Sequence, residues 1–168
     1  MKSKINQKSI FLTLALACIF LNIIALIFQY GFGMEPCIKC IYQRIILAAI
    51  TPVLLLCAFA KTPLVFIAGA FTTLTGFICG AKISYTHAYN QANINPFASC
   101  SFRPELYDYI PLDKIIPSVF EVRAACDQIN WIFLNLTMPH WLHLIYLALI
   151  GWVVFGCIKF IKQNKNSK

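Results

Sequence analysis

The chain has 168 residues, 60% of them apolar and only 12% charged, with a formal net charge of +8. That is enough for one domain but too little charge to cover the surface of a water-soluble one. The excess cations gather at the termini and not on one face, which reads as a topology signal and argues against nucleic-acid binding.

A basic start, Lys2, Lys4 and Lys8, leads into an apolar block over 10–28. Three more follow, over 41–60, 64–81 and 141–160. Each is close to the roughly 20 helical residues that span a hydrocarbon core of about 30 Å. They are apolar on all faces, which excludes a soluble bundle of amphipathic helices. Ala17-Cys18 offers a lipoprotein-like cleavage point in the first block, but the apolar run continues for ten residues past Cys18 and suits an uncleaved span better.

A short outer loop, 29–40, is punctuated by Gly31-Phe32-Gly33 and Pro36 and ends in Cys37-Ile38-Lys39-Cys40. This C-x-x-C sits at the start of a helix, where unpaired N–H groups and the positive end of the dipole favour a thiolate. Its ring is too small for a structural staple to gain much from closing it. Arg44 follows Cys40 by one helical turn, just inside an apolar span, where an ionised residue is costly and usually functional. A guanidinium there suits a thiolate or the carbonyl oxygen of an acceptor; the plainer reading is an arginine snorkelling to the interface.

Lys61-Thr62-Pro63 forces spans two and three into a tight hairpin. Gly76 and Gly80 in span three form a small-xxx-small pattern that reads as packing inside the bundle and not as a dimer face. The second outer loop, 82–140, is too long for a mere connection. In it Leu112, Ile115, Ile116, Val119 and Phe120 recur at helical spacing, giving one apolar face suited to a membrane surface or to the rest of the loop, with Pro117 dividing it. Trp131 and Trp141 flank the entry to span four, as interfacial indoles do.

The eight cysteines sort by position. Cys18, Cys57, Cys79 and Cys157 lie within spans and read as small apolar residues. Cys37, Cys40, Cys100 and Cys126 lie on the outer side, where disulfides persist. Spacing disfavours zinc, because Cys100 and Cys126 are 26 residues apart and do not form a second close pair, so no metal is expected. A simple Cys100–Cys126 staple stays open on spacing alone. With both termini cytoplasmic, eight cations lie inside and all six acids outside.

At these residues the chain resembles the disulfide bond formation protein B (DsbB) family of bacterial inner-membrane thiol oxidases. The matching stretches are residues 36–44 (Pro-Cys-Ile-Lys-Cys-Ile-Tyr-Gln-Arg), 96–100 (Pro-Phe-Ala-Ser-Cys) and 111–114 (Pro-Leu-Asp-Lys). Cys126, Trp131 and Met138-Pro139-His140-Trp141 complete the pattern, which covers nearly the whole chain. The resemblance implies an all-α fold: one domain, a four-helix transmembrane bundle with a long periplasmic loop carrying a short amphipathic helix. It implies a quinone, ubiquinone or menaquinone, as acceptor and a DsbA-like periplasmic thioredoxin-fold oxidase as partner. The resemblance further implies that the partner's dithiol attacks Cys100 of a Cys100–Cys126 disulfide, that Cys126 attacks Cys37 of a Cys37–Cys40 disulfide, and that Cys40 passes electrons to the quinone. Arg44 and His87 are implied at the quinone. A vitamin-K-epoxide-reductase-like order is excluded, because there the loop cysteines precede the C-x-x-C. A non-catalytic four-span interaction protein with structural disulfides is the alternative, although the Cys-Cys-Gly motif of tetraspanin-like proteins is absent.

Overall fold

The computed structural model describes residues 7–60, 62–93, 104–129 and 131–165. Lys2, Lys4, Lys61, Lys168 and the 96–100 stretch with Cys100 lie outside the described residues. Four long helices dominate: α1 (Gln7–Gly31), α2 (Ile38–Phe59), α3 (Pro63–Ala92) and, last in the chain, α6 (Met138–Lys165). Each is long and apolar enough to cross a membrane. Between α3 and α6 come a 3₁₀ turn at Glu105–Asp108, two one-turn helices, α4 (Leu112–Ile115) and α5 (Pro117–Phe120), and a small antiparallel hairpin of β1 (Ile132–Phe133) and β2 (Leu136–Thr137). This is the four-span bundle expected from the apolar blocks.

The long helices pack in sequence, α1 on α2, α2 on α3 and α3 on α6, with α6 closing back on α1. Phe11, Leu14, Leu54, Phe66, Phe77, Tyr146 and Val153 fill the interior. Phe66 stacks on Phe160 at 3.8 Å and meets Phe11 edge-on at 5.2 Å. The outer surface is just as apolar: Phe20, Leu56, Leu64 and Phe71 are all exposed, the inverse of a soluble protein and the arrangement lipid requires. A side chain at Gly76 would collide with Ile50 of α2, and one at Gly80 with the ring of Tyr146 of α6. These glycines let helices of one bundle approach closely.

The described lysines near the chain ends lie at the end of the bundle opposite the C-x-x-C. Lys8 sits over the Phe59 ring at 4.7 Å, and Lys159 over Phe155 at 5.4 Å. At the other end one feature differs from the sequence reading. The third apolar block ends at Ala81, but its helix runs on through Lys82, His87 and Gln91 to Ala92. No proline or glycine interrupts that stretch, so the helix outlasts the apolar run and carries polar side chains above it. Over 112–120 the helix divides at Pro117, as the sequence indicates. Ile116 leaves the helix at φ −137°, and Pro117 starts a second one. Ile115 and Ile116 face outward, while Val119 and Phe120 are half-buried.

The long loop is pinned across the bundle end by side chains that reach its backbone. Gln29 Nε2 and Tyr30 Oη donate to Ser118 O at 3.0 and 2.5 Å, and Arg44 Nη1 to Val119 O at 3.0 Å. Tyr107 Oη donates to Phe120 O at 2.5 Å. These are carbonyls of the last turn of α5, which have no partner inside so short a helix. Tyr42 Oη accepts from Glu105 N, and Gln91 Nε2 donates to Gln128 O.

Candidate functional site

The C-x-x-C forms the first turn of α2. Gly33, at φ +65°, turns the chain after α1, and Pro36 leads it into an extended Cys37. Cys37 is the N-cap, at φ −84° and ψ 169°, and its Sγ accepts from the backbone N–H of Cys40 at 3.4 Å. Cysteine thus occupies the place where serine or aspartate usually binds the third free N–H of a helix. The two sulfurs are 3.1 Å apart, within hydrogen-bond reach.

His87 of α3 brings Nε2 to 3.6 Å from Cys37 Sγ. Together these groups lower the Cys37 thiol to about 4. The Cys40 thiol contributes most; the hydrogen bond and charge of His87 and the Cys40 backbone N–H add to it against the opposing effect of burial. The thiolate favoured by the helix start is therefore assigned to the first cysteine of the motif. Lys39 turns away and donates to Thr86 O at 3.0 Å, tying α2 to α3.

Cys126 reaches the same place from the long loop. The backbone N–H groups of Arg123 and Ala124 donate to Pro36 O at 3.0 and 3.3 Å, and Cys37 forms a parallel bridge with Ala124. This pairing delivers Cys126 into a buried cluster with Cys37 and Ile38, edged by Cys40, Tyr42 and Val122. Cys126 is 3% exposed and disulfide-bonded. Cys37 and Cys40 are free thiols.

Beside the sulfurs lies a cavity of about 110 Å³, approaching the ~150 Å³ that takes up a benzene ring. Cys37, Cys40, Gln43, Arg44, His87 and Trp131 are among the residues that line it. Arg44 is 6% exposed and does not snorkel. It donates to Gln29 Oε1 at 2.6 Å, Val119 O at 3.0 Å and Ala25 O at 3.0 Å. Among the described residues those bonds use three of the five guanidinium N–H groups and leave two. Gln43 and His87 are buried, yet both amide atoms of Gln43 and Nδ1 of His87 have no hydrogen-bond partner. A buried polar group left unpaired costs about 1–3 kcal/mol.

The sequence reading did not single out Gln43, Gln91 or the role of Trp131. Gln43 lies three residues after Cys40, the spacing that puts two side chains on one helix face, and could have been found by that rule. Cys37 Sγ, Cys40 Sγ and His87 Nε2 also lie within 4.8 Å of one another, a set able to ligate a soft metal. A closed zinc site takes four ligands, and among the described residues no fourth cysteine, histidine or carboxylate joins these three.

The chain matches the family of disulfide bond formation protein DsbB over residues 7–156. It belongs to the DsbB family. Disulfide bond formation protein B of Escherichia coli O6:K15:H31 (strain 536 / UPEC) is 35% identical over 164 residues, covering 97% of this chain and 91% of that protein. The protein of the same name from Shewanella frigidimarina (strain NCIMB 400) is 35% identical over 150 residues, covering 86% and 83%. As a DsbB-family member the chain is a multi-pass membrane protein of disulfide bond formation, a disulfide-forming oxidoreductase. Cys37, Cys40, Arg44 and His87 line one cavity in this family member, with Cys126 buried against Cys37.

Proposed function

We propose that the protein is a quinone-dependent thiol oxidase that regenerates a DsbA-like periplasmic dithiol oxidase. The observation that carries this reading is the cavity lined by both C-x-x-C cysteines together with Gln43, Arg44 and His87. A quinone, ubiquinone or menaquinone, supplies a two-electron, two-proton acceptor that dissolves in the bilayer. Gln43, Arg44 and His87, which line the cavity, would hold its carbonyl oxygens. A second, apolar groove runs along α1 and α6 through Phe20, Ile145, Leu149 and Trp152 and shares Leu21 with the cavity, which suits an isoprenoid tail.

The electron route runs through thiol–disulfide exchanges, each breaking one disulfide as another forms. The partner's thiolate attacks Cys100 of a Cys100–Cys126 disulfide and frees Cys126. Cys126 then attacks Cys37 of a Cys37–Cys40 disulfide, which its burial against Cys37 favours. While Cys37 is bonded to Cys126, Cys40 is the C-x-x-C sulfur left at the cavity with its electron pair. Arg44, one turn along α2, balances that charge. The partner's second thiolate would then displace Cys100, and Cys100 would re-form its disulfide with Cys126 and free Cys37. The Cys37–Cys40 dithiol would give two electrons and two protons to the quinone. The net change is one partner dithiol oxidised to a disulfide and one quinone reduced to quinol.

Lysines gathered at the terminal end of the bundle support an orientation with both ends cytoplasmic and the cysteine end in the bacterial periplasm, across the inner membrane. There a DsbA-type dithiol, a strong oxidant at about −120 mV, needs a stronger acceptor behind it. The experiment reconstitutes the protein in vesicles with ubiquinone or menaquinone and a reduced thioredoxin-fold dithiol. One quinol formed per disulfide made is expected. Disulfide formation that proceeds without any quinone would overturn the reading.

A further inference from the structure

The hairpin between the long loop and α6 has no part in the reading above. Its sequence, Ile132-Phe133-Leu134-Asn135-Leu136-Thr137, is mostly apolar, and Ile132 is 60% exposed, Phe133 53% and Leu134 72%. A two-residue hairpin loop with positive φ at both positions ordinarily takes Asn-Gly or Asp-Gly. Here Leu134 stands at φ 50° and Asn135 at φ 62°. A bulky leucine in the left-handed region is a strained outlier, and in water neither the strain nor the exposure gains anything.

Two observations say what the tip meets. β2 ends at Thr137 and α6 starts at Met138, so no linker separates the hairpin from a membrane-crossing helix. The hairpin therefore lies at the level where α6 enters the bilayer. An aromatic row, Phe28, Trp131, Phe133 and Trp141, marks the same level, with successive ring centroids 5.9, 5.8 and 5.9 Å apart. Such rings gather at the headgroup layer. Trp141 Nε1 donates to Phe133 O at 3.2 Å and ties the hairpin to α6. Trp131, immediately before β1, and Met138 and Pro139, immediately after β2, all line the cavity.

We propose that the 132–137 hairpin docks into the headgroup layer of the bilayer, with Ile132, Phe133 and Leu134 against the acyl boundary, and that this docking holds the cavity roof in place. The second half rests on the quinone reading; the first does not. Asn135 and the outer edges of so short a ribbon need polar partners, so the docking stays at the interface and does not enter the hydrocarbon.

Two measurements on the full chain in phosphatidylethanolamine–phosphatidylglycerol vesicles test this. In the first, a benzophenone amino acid replaces Leu134, and photolysis products are weighed. A phospholipid adduct is expected, with none when the same residue replaces Arg123, which is exposed and paired with Glu121. No adduct at 134 overturns the docking. In the second, Leu134→Asn supplies a residue that accepts positive φ but not hydrocarbon. A water-facing hairpin would gain stability and keep its quinone affinity. A docked one loses affinity, with the apparent Kd for ubiquinone rising about threefold to tenfold while the KM for the dithiol partner holds. An adduct at 134 with unchanged affinity overturns the roof function. An adduct in a protein that binds no quinone at all upholds the docking and overturns the quinone reading instead.

Discussion

Two buried environments in this bundle hold cysteines, and they make different residues of them. Cys18 and Cys57 lie in the apolar core of the bundle, fully buried among Phe11, Leu14, Leu54 and Phe66. Cys37 and Cys40 lie at the bundle end beside Gln43, Arg44 and His87. Burial is common to both. What separates them is the helix start, the imidazole and the unpaired amide buried with the second set. On the proposed function, reactivity would follow from the polar groups that share the burial, not from exposure.

The largest effect should come from exchanging the two environments by substitution. Cys37→Ser or Cys40→Ser should abolish disulfide formation. Cys18→Ala or Cys57→Ala should leave most of it and lower stability by about 1 kcal/mol, as a small cavity does. Oxidation of a dithiol partner and thermal unfolding in detergent would separate the two outcomes. A core cysteine as necessary as Cys40 would erase the distinction.

A second contrast is in thiolate character. With Cys37 lowered to about 4, its thiolate dominates at every pH above that value and is lost only as pH falls through it. In the reduced protein its alkylation rate should therefore stay level from pH 8 to about 5, where an ordinary thiol near 8.5 slows about tenfold per unit. His87→Phe removes a charge and a hydrogen bond, so the level region should shrink from its acidic side. Mass mapping of alkylated Cys37 against pH reads this directly.

Arg44 comes next. Arg44→Ala should raise the KM for quinone about tenfold, equivalent to about 1.4 kcal/mol, and change the KM for the dithiol partner much less. Arg44→Lys should rescue it poorly, because an ammonium cannot replace a planar fork bound to Gln29, Ala25 and Val119 at once. The smallest effect is the most diagnostic of a ligand. Gln43→Leu should weaken quinone use several-fold while raising the stability of the quinone-free protein by about 1–3 kcal/mol, because it removes two unpaired buried atoms. Loss of both together would mean that Gln43 has a structural partner.

Much of this was legible in the sequence. Four apolar blocks gave four spans, and C-x-x-C with an arginine one turn on gave the two sulfurs and the buried cation, because both are local patterns. The extension of α3 past Ala81 was missed because the reading followed hydropathy, which ends at the membrane although the helix does not. The meeting of Cys126 with Cys37 depends on backbone pairing between Pro36 and residues 123–124, a contact with no local sequence signal. The hairpin turn was hidden because leucine stands where glycine or asparagine would have announced it.

The central claim is that electrons leave the long loop through Cys126 to Cys37. It is tested most directly in a Cys40→Ser, Cys100→Ser chain, which leaves Cys37 and Cys126 as the cysteines of the bundle end. Mild oxidation in vesicles followed by peptide mapping should give a Cys37–Cys126 disulfide as the main product. Recovery of Cys37 and Cys126 as separate thiols, with Cys37 bonding only to an added partner, would contradict that route.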